Sequence, residues 1–311
     1  MRANSTHWLA KALGVVMLLT VLTLAGCGGG GSGTGAGSKP GAGISLTIGS
    51  KNDPDGQLLA EMYSLLLQNQ GFNVTTKLAL GQTTVLDSAI KSGAVDMYPE
   101  FNGTALSIYK LPQTNDPQTA YNEAKTYYEQ NLHVTWLDPA LKLNDSYGYC
   151  TSQAKAQQYN LSTIADLAPV ANKLVFALQQ DAKDIYNSAG TAYGVSFKST
   201  VTISEQLSFQ AVTGGQADIN ECYTTDPAIV TNHFVLLKDT KNAFPPYNPS
   251  PIVRDQTLAK SSAIASTLNP LAQILTTDSQ TALIAEVGTD PSKVPSVAKK
   301  FLQDQNLLPK S

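Results

Sequence analysis

The chain has 311 residues, 24 acidic and 21 basic side chains, a net charge of −3, and only three histidines and three cysteines. With no basic stripe, that balance argues against a nucleic-acid binder, and the scattered His and Cys leave no spacing suited to a metal cluster. Once an export leader and its tether are set aside, residues 44–311 amount to about twice a typical domain, enough for two lobes with cores of their own.

Arg2 and Lys11 precede an apolar run, 12–24, that is short for a bilayer span and ends in Leu24-Ala25-Gly26-Cys27. Small residues before a cleavage point mark residues 1–26 as a signal peptide rather than a membrane helix. A Cys at the first mature position resembles a bacterial lipobox, in which the thiol takes a diacylglycerol and the new amine a further acyl chain. Two or more chains hold a protein stably at a membrane surface. Cys27 is the expected lipidation site, with 27–43 a Gly/Ser-rich tether. The folded part is then extracytoplasmic and lipid-anchored to the bacterial cell membrane; an ordinary secretory signal with a coincidental Cys is the alternative. Residues 28–33 formally match the dinucleotide fingerprint, but no strand precedes them and no helix follows.

Ser45-Leu46-Thr47-Ile48-Gly49 reads as a strand, and Asp53-Pro54 as the N-cap and first position of a helix. Leu58, Leu59, Met62, Leu65 and Leu66 give that helix one apolar face, and Gly71 closes it. A strand over 73–80, a helix over 84–92 and a strand over 95–98 complete a β-α-β-α-β series, the pattern of a mostly parallel sheet covered by helices. A helix near 117–131 and a strand over 133–137 follow. A second series has strands at 147–151 and 173–177, a helix near 204–212 and a strand at 217–223. After Asp226 the chain reads as returning to the first lobe, with strands 234–237 and 252–254 and three C-terminal helices. The expected fold class is α/β, two-lobed, with ligand bound in the crevice at the strand ends.

No catalytic set is legible. His7 lies in the leader, and His133 and His233 are isolated, more simply strand-end or surface residues than ligands. There is no G-x-S-x-G elbow, no P-loop and no metal-ligand spacing, so no metal or cofactor is expected. With Cys27 lipidated, Cys150 and Cys222 remain as an even pair in an oxidising compartment. They form one disulfide or stay as two buried free thiols. Aromatics recur where strands end and turns begin: Tyr98 to Phe101, Tyr147 after Asn144-Asp145-Ser146, Tyr223 after Cys222, and Phe244 to Tyr247 in a Pro-rich loop. Each alone suits core packing; together they suggest a box for an apolar or cationic ligand.

These landmarks carry a resemblance. Ile48-Gly49-Ser50-Lys51-Asn52, the run from Lys91 to Thr104, Trp136-Leu137-Asp138-Pro139, Gly215-Gln216-Ala217-Asp218, Thr225-Asp226, Leu236-Leu237-Lys238-Asp239, and Phe244 to Asn248 through Pro251 to Arg254 stand in the order found in one family. The chain resembles the substrate-binding lipoproteins of bacterial ABC importers for quaternary ammonium osmolytes, the glycine betaine, choline and carnitine family. The resemblance implies a two-lobed periplasmic-binding-protein fold, type II-like, with a hinge and an interlobe cleft. Lobe one would comprise 44–138 plus 227–311, and lobe two the inserted 139–226, with hinge crossings near Asp138 and Asp226. It further implies an aromatic cage of Phe101, Tyr147, Tyr223 and Tyr247 around the trimethylammonium group. Lys51 and Thr104 would face the ligand's other end, with Gln82 a further candidate there. Partners would be an ABC permease and its ATPase subunits.

Two departures bear on the ligand. The family usually has Tyr where Phe101 stands. The segment 179–189 lacks the Arg that pairs with a betaine carboxylate in some members, and offers only Lys183. With Asp53 and Asp55 nearby, choline or another alcohol-type cation is favoured over betaine. The same residues also fit a ligand-sensing lipoprotein, or a small-molecule enzyme whose catalytic set the sequence does not identify.

Overall fold

A computed structural model of the chain describes residues 38–204 and 207–310. The expected signal peptide, the Cys27 lipidation site and the tether as far as residue 37 lie outside the described residues. Residues 39–43, expected as the end of the tether, form a turn held against the first helix. Gly41 N donates to Gln70 O at 2.9 Å and Lys39 Nζ to Asn69 O at 2.8 Å. Carbonyls at a helix C terminus lack intrahelical donors, and these two bonds supply them.

The first part of the chain runs β1 (Ser45–Lys51), α1 (Pro54–Asn69), β2 (Asn73–Gly81), α2 (Thr83–Ser92), β3 (Met97–Phe101), α3 (Asn102–Ile108), α4 (Pro117–Leu132) and β4 (Val134–Trp136). The middle runs β5 (Tyr147–Ser152), α5 (Gln153–Tyr159), β6 (Val175–Leu178), α6 (Lys183–Tyr193), β7 (Ser199–Thr202), α7 (Ser208–Thr213), β8 (Ile219–Tyr223), α8 (Pro227–Thr231) and β9 (Phe234–Leu237). The last part is β10 (Pro249–Arg254), α9 (Asp255–Leu258), α10 (Ala263–Ile274), α11 (Thr277–Val287) and α12 (Val294–Asp304).

Two five-stranded sheets result, in the orders β2-β1-β3-β10-β4 and β7-β6-β8-β5-β9. In each, one strand runs against the other four: β10 in the first sheet and β5 in the second. The reversed strands are the ones that follow the two passages of the chain between sheets. The protein is therefore α/β and two-lobed.

Strand alternation assigns side chains to the two faces of each sheet. On the first, Ile48, Met97 and Val253 join the core under α1, α10, α11 and α12, while Tyr98 and Ile252 join Leu86, Tyr128 and Trp136 under α2, α3 and α4. On the second, Tyr149, Phe176 and Leu237 pack with Tyr186 of α6, and Cys150, Ala177 and Cys222 with Ala211 and Val212 of α7. Helix α1 starts as its sequence requires, with Asp53 accepting from Gly56 N at 2.6 Å and Pro54 at the first position.

Two expectations need correction. Strand 234–237 does not belong to the first lobe: β9 pairs antiparallel with β5, with Tyr149 opposite Leu237 and Ser152 opposite Phe234. Phe234 and Leu237 fill the second lobe's two cores, so the return passage comes after β9, through 243–248, rather than at Asp226. Helix α3 begins directly after Phe101, where Asn102-Gly103 reads as turn chemistry. Asn102 is instead fully buried and locked to Asn248: its N–H donates to Asn248 O at 3.1 Å, and Asn248 N donates to its Oδ1 at 2.8 Å.

Candidate functional site

Tyr147 opens β5 and Tyr223 closes β8, and the antiparallel register sets them directly opposite each other. Cross-strand partners share a face, so the rings meet at 5.2 Å between centroids with a 37° tilt. Cys150 and Cys222 are joined by a disulfide across the same two strands, on the opposite face and buried. The bond thus fixes the strand pair from behind the tyrosines.

Phe101 ends β3 of the first lobe, and Tyr247 stands two residues before β10, the strand that pairs with β3. The Asn102–Asn248 lock ties their backbones together. Tyr247 is also fastened to the outgoing passage: its N–H donates to Asn144 Oδ1 at 2.7 Å, and Asp145 N donates to its carbonyl at 3.0 Å. Ser146 Oγ adds a bond to Pro245 O at 2.5 Å. The two passages between sheets therefore run side by side, and Tyr247 sits where they cross. Its ring meets Tyr147 edge-on at 6.0 Å. Burial above all, with Tyr147 and Asp145 adding to it, leaves the Tyr247 phenol pushed up to about 12, so it stays an O–H donor at neutral pH.

Gly103 makes room for this arrangement. A Cβ there would lie 2.4 Å from Pro246 O and 3.0 Å from the Tyr247 ring. Gly103→Ala is expected to push 246–247 outward, lowering ligand affinity at least about tenfold and stability by about 1–3 kcal/mol, the range for overpacking. Calorimetric titration beside a thermal melt would check both.

Lys51, Asp53, Phe101, Thr104, Asp145, Tyr147, Tyr223 and Tyr247 line one cavity of about 220 Å³. That is below the usual range for drug-sized ligands and suits a compact solute. Six of the seven expected ligand contacts are brought together here. Gln82 is not: it is the exposed N-cap of α2, away from the cavity lining. Lys183 lines a different cavity, beneath α6.

Three carboxylates at the site carry weight that the sequence reading gave to lysine. Glu100, fully buried, accepts from Lys51 Nζ at 2.5 Å, Phe101 N at 2.8 Å and Tyr98 Oη at 3.0 Å. Lys51 Nζ also lies 5.0 Å from the Phe101 ring centre. The cavity's lysine is thus already engaged by an anion and a ring. Asp53, which accepts from Gly56 N at 2.6 Å, and Asp145, which accepts from Thr225 Oγ1, also line the cavity. Asp145 was visible two residues before Tyr147 and Glu100 one before Phe101, but neither pattern says which way a side chain points.

Next to Asp53 on α1, Asp55 is buried, and its carboxyl is held well above the ordinary 3.8 by burial first, then by Asp145, Asp53 and Asp226, with Gln280 pulling the other way. The folded state therefore keeps this proton to higher pH than the unfolded state does. Stability contributed at Asp55 falls as pH rises from about 4 to the raised value and then levels off. Asp55→Asn should flatten that slope, so that the stability lost by the unaltered protein between pH 4 and neutral pH is retained in the variant. Urea unfolding of both forms across pH 4–8 would show it.

Fold and cavity together define a two-lobed solute-binding protein. Residues 44–304 match the OpuAC family, described as the substrate-binding domain of ABC-type glycine betaine transport systems, and the chain belongs to that family. It is 29% identical to the carnitine transport binding protein OpuCC of Listeria monocytogenes over 86% of this chain and 90% of that one. It is 26% identical to a glycine-betaine-binding protein of Pseudomonas aeruginosa over 85% and 89%. A crystal structure described as a glycine betaine/carnitine/choline ABC transporter superposes with a TM-score of 0.78 at 23% identity, covering 84% of this chain and 99% of that one. The chain is a substrate-binding protein of ABC-type transport. Among the described residues no helix is long and apolar enough to cross a membrane.

Proposed function

We propose that this protein captures a quaternary ammonium compound in a cage of Phe101, Tyr147, Tyr223 and Tyr247 and delivers it to an ABC permease powered by separate ATPase subunits. The observation that carries the reading is the convergence of these four rings on one small cavity, Tyr147 and Tyr223 from the second sheet, Phe101 from the first and Tyr247 from the passage that leads into β10. A quaternary ammonium has no N–H to donate, so hydrogen bonds do not recognise it. Its diffuse charge under a methyl surface suits several ring faces at once, each contributing about 0.5–2 kcal/mol. The names of the relatives, carnitine-binding and glycine-betaine-binding, point to the same ligand class.

Because the rings come from both lobes, a ligand that touches all four stabilises the closed form. The lobes we propose follow the sheets: 44–138 with 249–311, and 139–244, the passages between them forming the hinge. Lipidation at Cys27 would hold the protein at the outer face of the cell membrane. We assign it transport rather than catalysis, since ligand capture accounts for the residues that line the cavity.

Within this ligand class, the site favours a net cation. A betaine carboxylate would face Asp53 and Asp145, while Lys51 is held by Glu100. Choline and glycine betaine titrated side by side in a calorimeter should give choline the lower Kd by about tenfold or more, the scale of one uncompensated charge contact. Equal or tighter betaine binding would overturn the preference, and heat from neither would overturn the cage.

A further inference from the structure

Among the described residues six large apolar side chains are exposed, and four of them stand at two turns: Leu80 and Val85 where β2 leads into α2, Val201 and Leu207 where β7 leads into α7. The sheet orders put these turns in equivalent places. β2 and β7 are edge strands, each on the side away from the strands that the two passages join, β4 and β10 in the first sheet, β5 and β9 in the second. The cavity residues Lys51, Phe101 and Tyr223 end β1, β3 and β8, so the parallel strands of both sheets point their C-terminal ends at the cleft. β2 and β7 run parallel to them and end at the same cleft, at its mouth and opposite the hinge.

The backbone presents Leu80 by a specific device. Gly49 pairs with Lys77 but Lys51 with Gly81, so residues 78–80 stand opposite Ser50 alone. Ser50 Oγ accepts from Ala79 N at 2.9 Å, and Ala79 is held at φ 51°, a left-handed conformation that an alanine adopts only under constraint. Bulges of this kind re-aim side chains beside functional sites. The pairing of Gly81 with Lys51 also ties the turn to the wall of the cage. Neither turn needs its apolar residues for the core: α2 buries Leu86, Ala89 and Ile90 rather than Val85, and β7 is exposed throughout.

We infer that the two turns form a clasp: as ligand draws the lobes together, Leu80 and Val85 close on Val201 and Leu207, and the apolar surface buried there holds the closed form. The clasp rests on the ligand-driven closure proposed above, and adds to it affinity determinants that never touch the ligand. Burying apolar surface is favourable in proportion to its area. A contact made only in the closed form shifts the open–closed equilibrium and with it the apparent Kd.

Leu80→Asn and Val201→Asn, made singly and together in the full chain, test this by calorimetric titration of choline beside a thermal melt without ligand. Each single variant should weaken choline binding at least about threefold. Each should leave the melt unchanged, because both side chains are exposed before closure. The double variant should lose less than the product of the two single losses, since residues in contact do not act additively. Unchanged affinity, losses that simply multiply, or a lowered melt would each overturn the clasp. A choline-loaded dimer in sedimentation that the variants abolish would assign the surface to a second copy, and would overturn it too. If choline binds all forms alike, the clasp falls and the cage stands. If choline fails to bind the unaltered protein, the cage reading falls and takes the clasp with it.

Discussion

Tyr147→Ala is expected to weaken binding of choline by roughly two orders of magnitude, a loss of about 3 kcal/mol. The ring does more than offer one face to the cation. It lies within 6.2 Å, centroid to centroid, of Tyr223, Tyr247, Tyr186 and Phe244, and so props three other rings as well as its cross-strand partner. Removing it forfeits one cation–π contact of about 0.5–2 kcal/mol and the aromatic pairs that orient its neighbours, each about 0.5–1.5 kcal/mol. Tyr147→Phe keeps the face and the packing and should stay within about fivefold of the unaltered protein. Calorimetry on both variants, with circular dichroism to confirm that each is folded, separates the ring from its hydroxyl. Unchanged affinity in the alanine variant would remove Tyr147 from the site.

Replacing Cys150 and Cys222 together by Ser should cost about 4 kcal/mol of stability, the entropy released by opening a loop of this length. The two residues are 72 apart in sequence and join neighbouring strands of the second lobe. The effect reaches the ligand because the bond backs the strand pair that presents Tyr147 and Tyr223. Affinity should fall severalfold even well below the midpoint of unfolding, as the cross-strand pair loosens. Chemical denaturation with and without reductant measures the first effect, and titration of the reduced protein the second. Stability unaffected by reduction would show that the hydrophobic contacts of Cys150 and Cys222 suffice without the bond.

The sequence carried much of the first lobe, because its elements are long and strongly patterned. Asp53-Pro54 begins a helix whose leucines repeat every third or fourth residue, and the strands on either side alternate or run apolar. The second lobe was less legible. Helix α6 spaces Tyr186, Ala189, Gly190 and Tyr193 along its buried face, but Ala and Gly give a weak periodic signal. Strand β7 is exposed throughout, so nothing apolar announces it. Phe234-Val235-Leu236-Leu237 reads plainly as a strand, yet four apolar residues carry no address. Only pairing with β5 decides which lobe they join.

At the site, the residues taken from the resemblance converge with the exception of Gln82, whose place at the head of α2 turns it to solvent. What the sequence could not convey was the state of the charges. A lysine two residues before Asp53 looks available for a carboxylate. It is not, because Glu100, 49 positions on, reaches it through the neighbouring strand. Four aspartates scattered from 53 to 226 likewise become one acidic wall only when α1, the outgoing passage and the end of β8 are folded together.

The central claim is that the cage recognises a positive charge and not merely a methyl surface. Its most direct test is a calorimetric titration of choline beside 3,3-dimethylbutanol, the neutral molecule in which carbon replaces the ammonium nitrogen. The two are nearly identical in shape and apolar area. Choline should bind saturably and, with about 2–4 kcal/mol of summed cation–π attraction absent, the neutral alcohol at least about thirtyfold more weakly. Comparable affinity for both would contradict it, and would make the four rings an ordinary hydrophobic pocket.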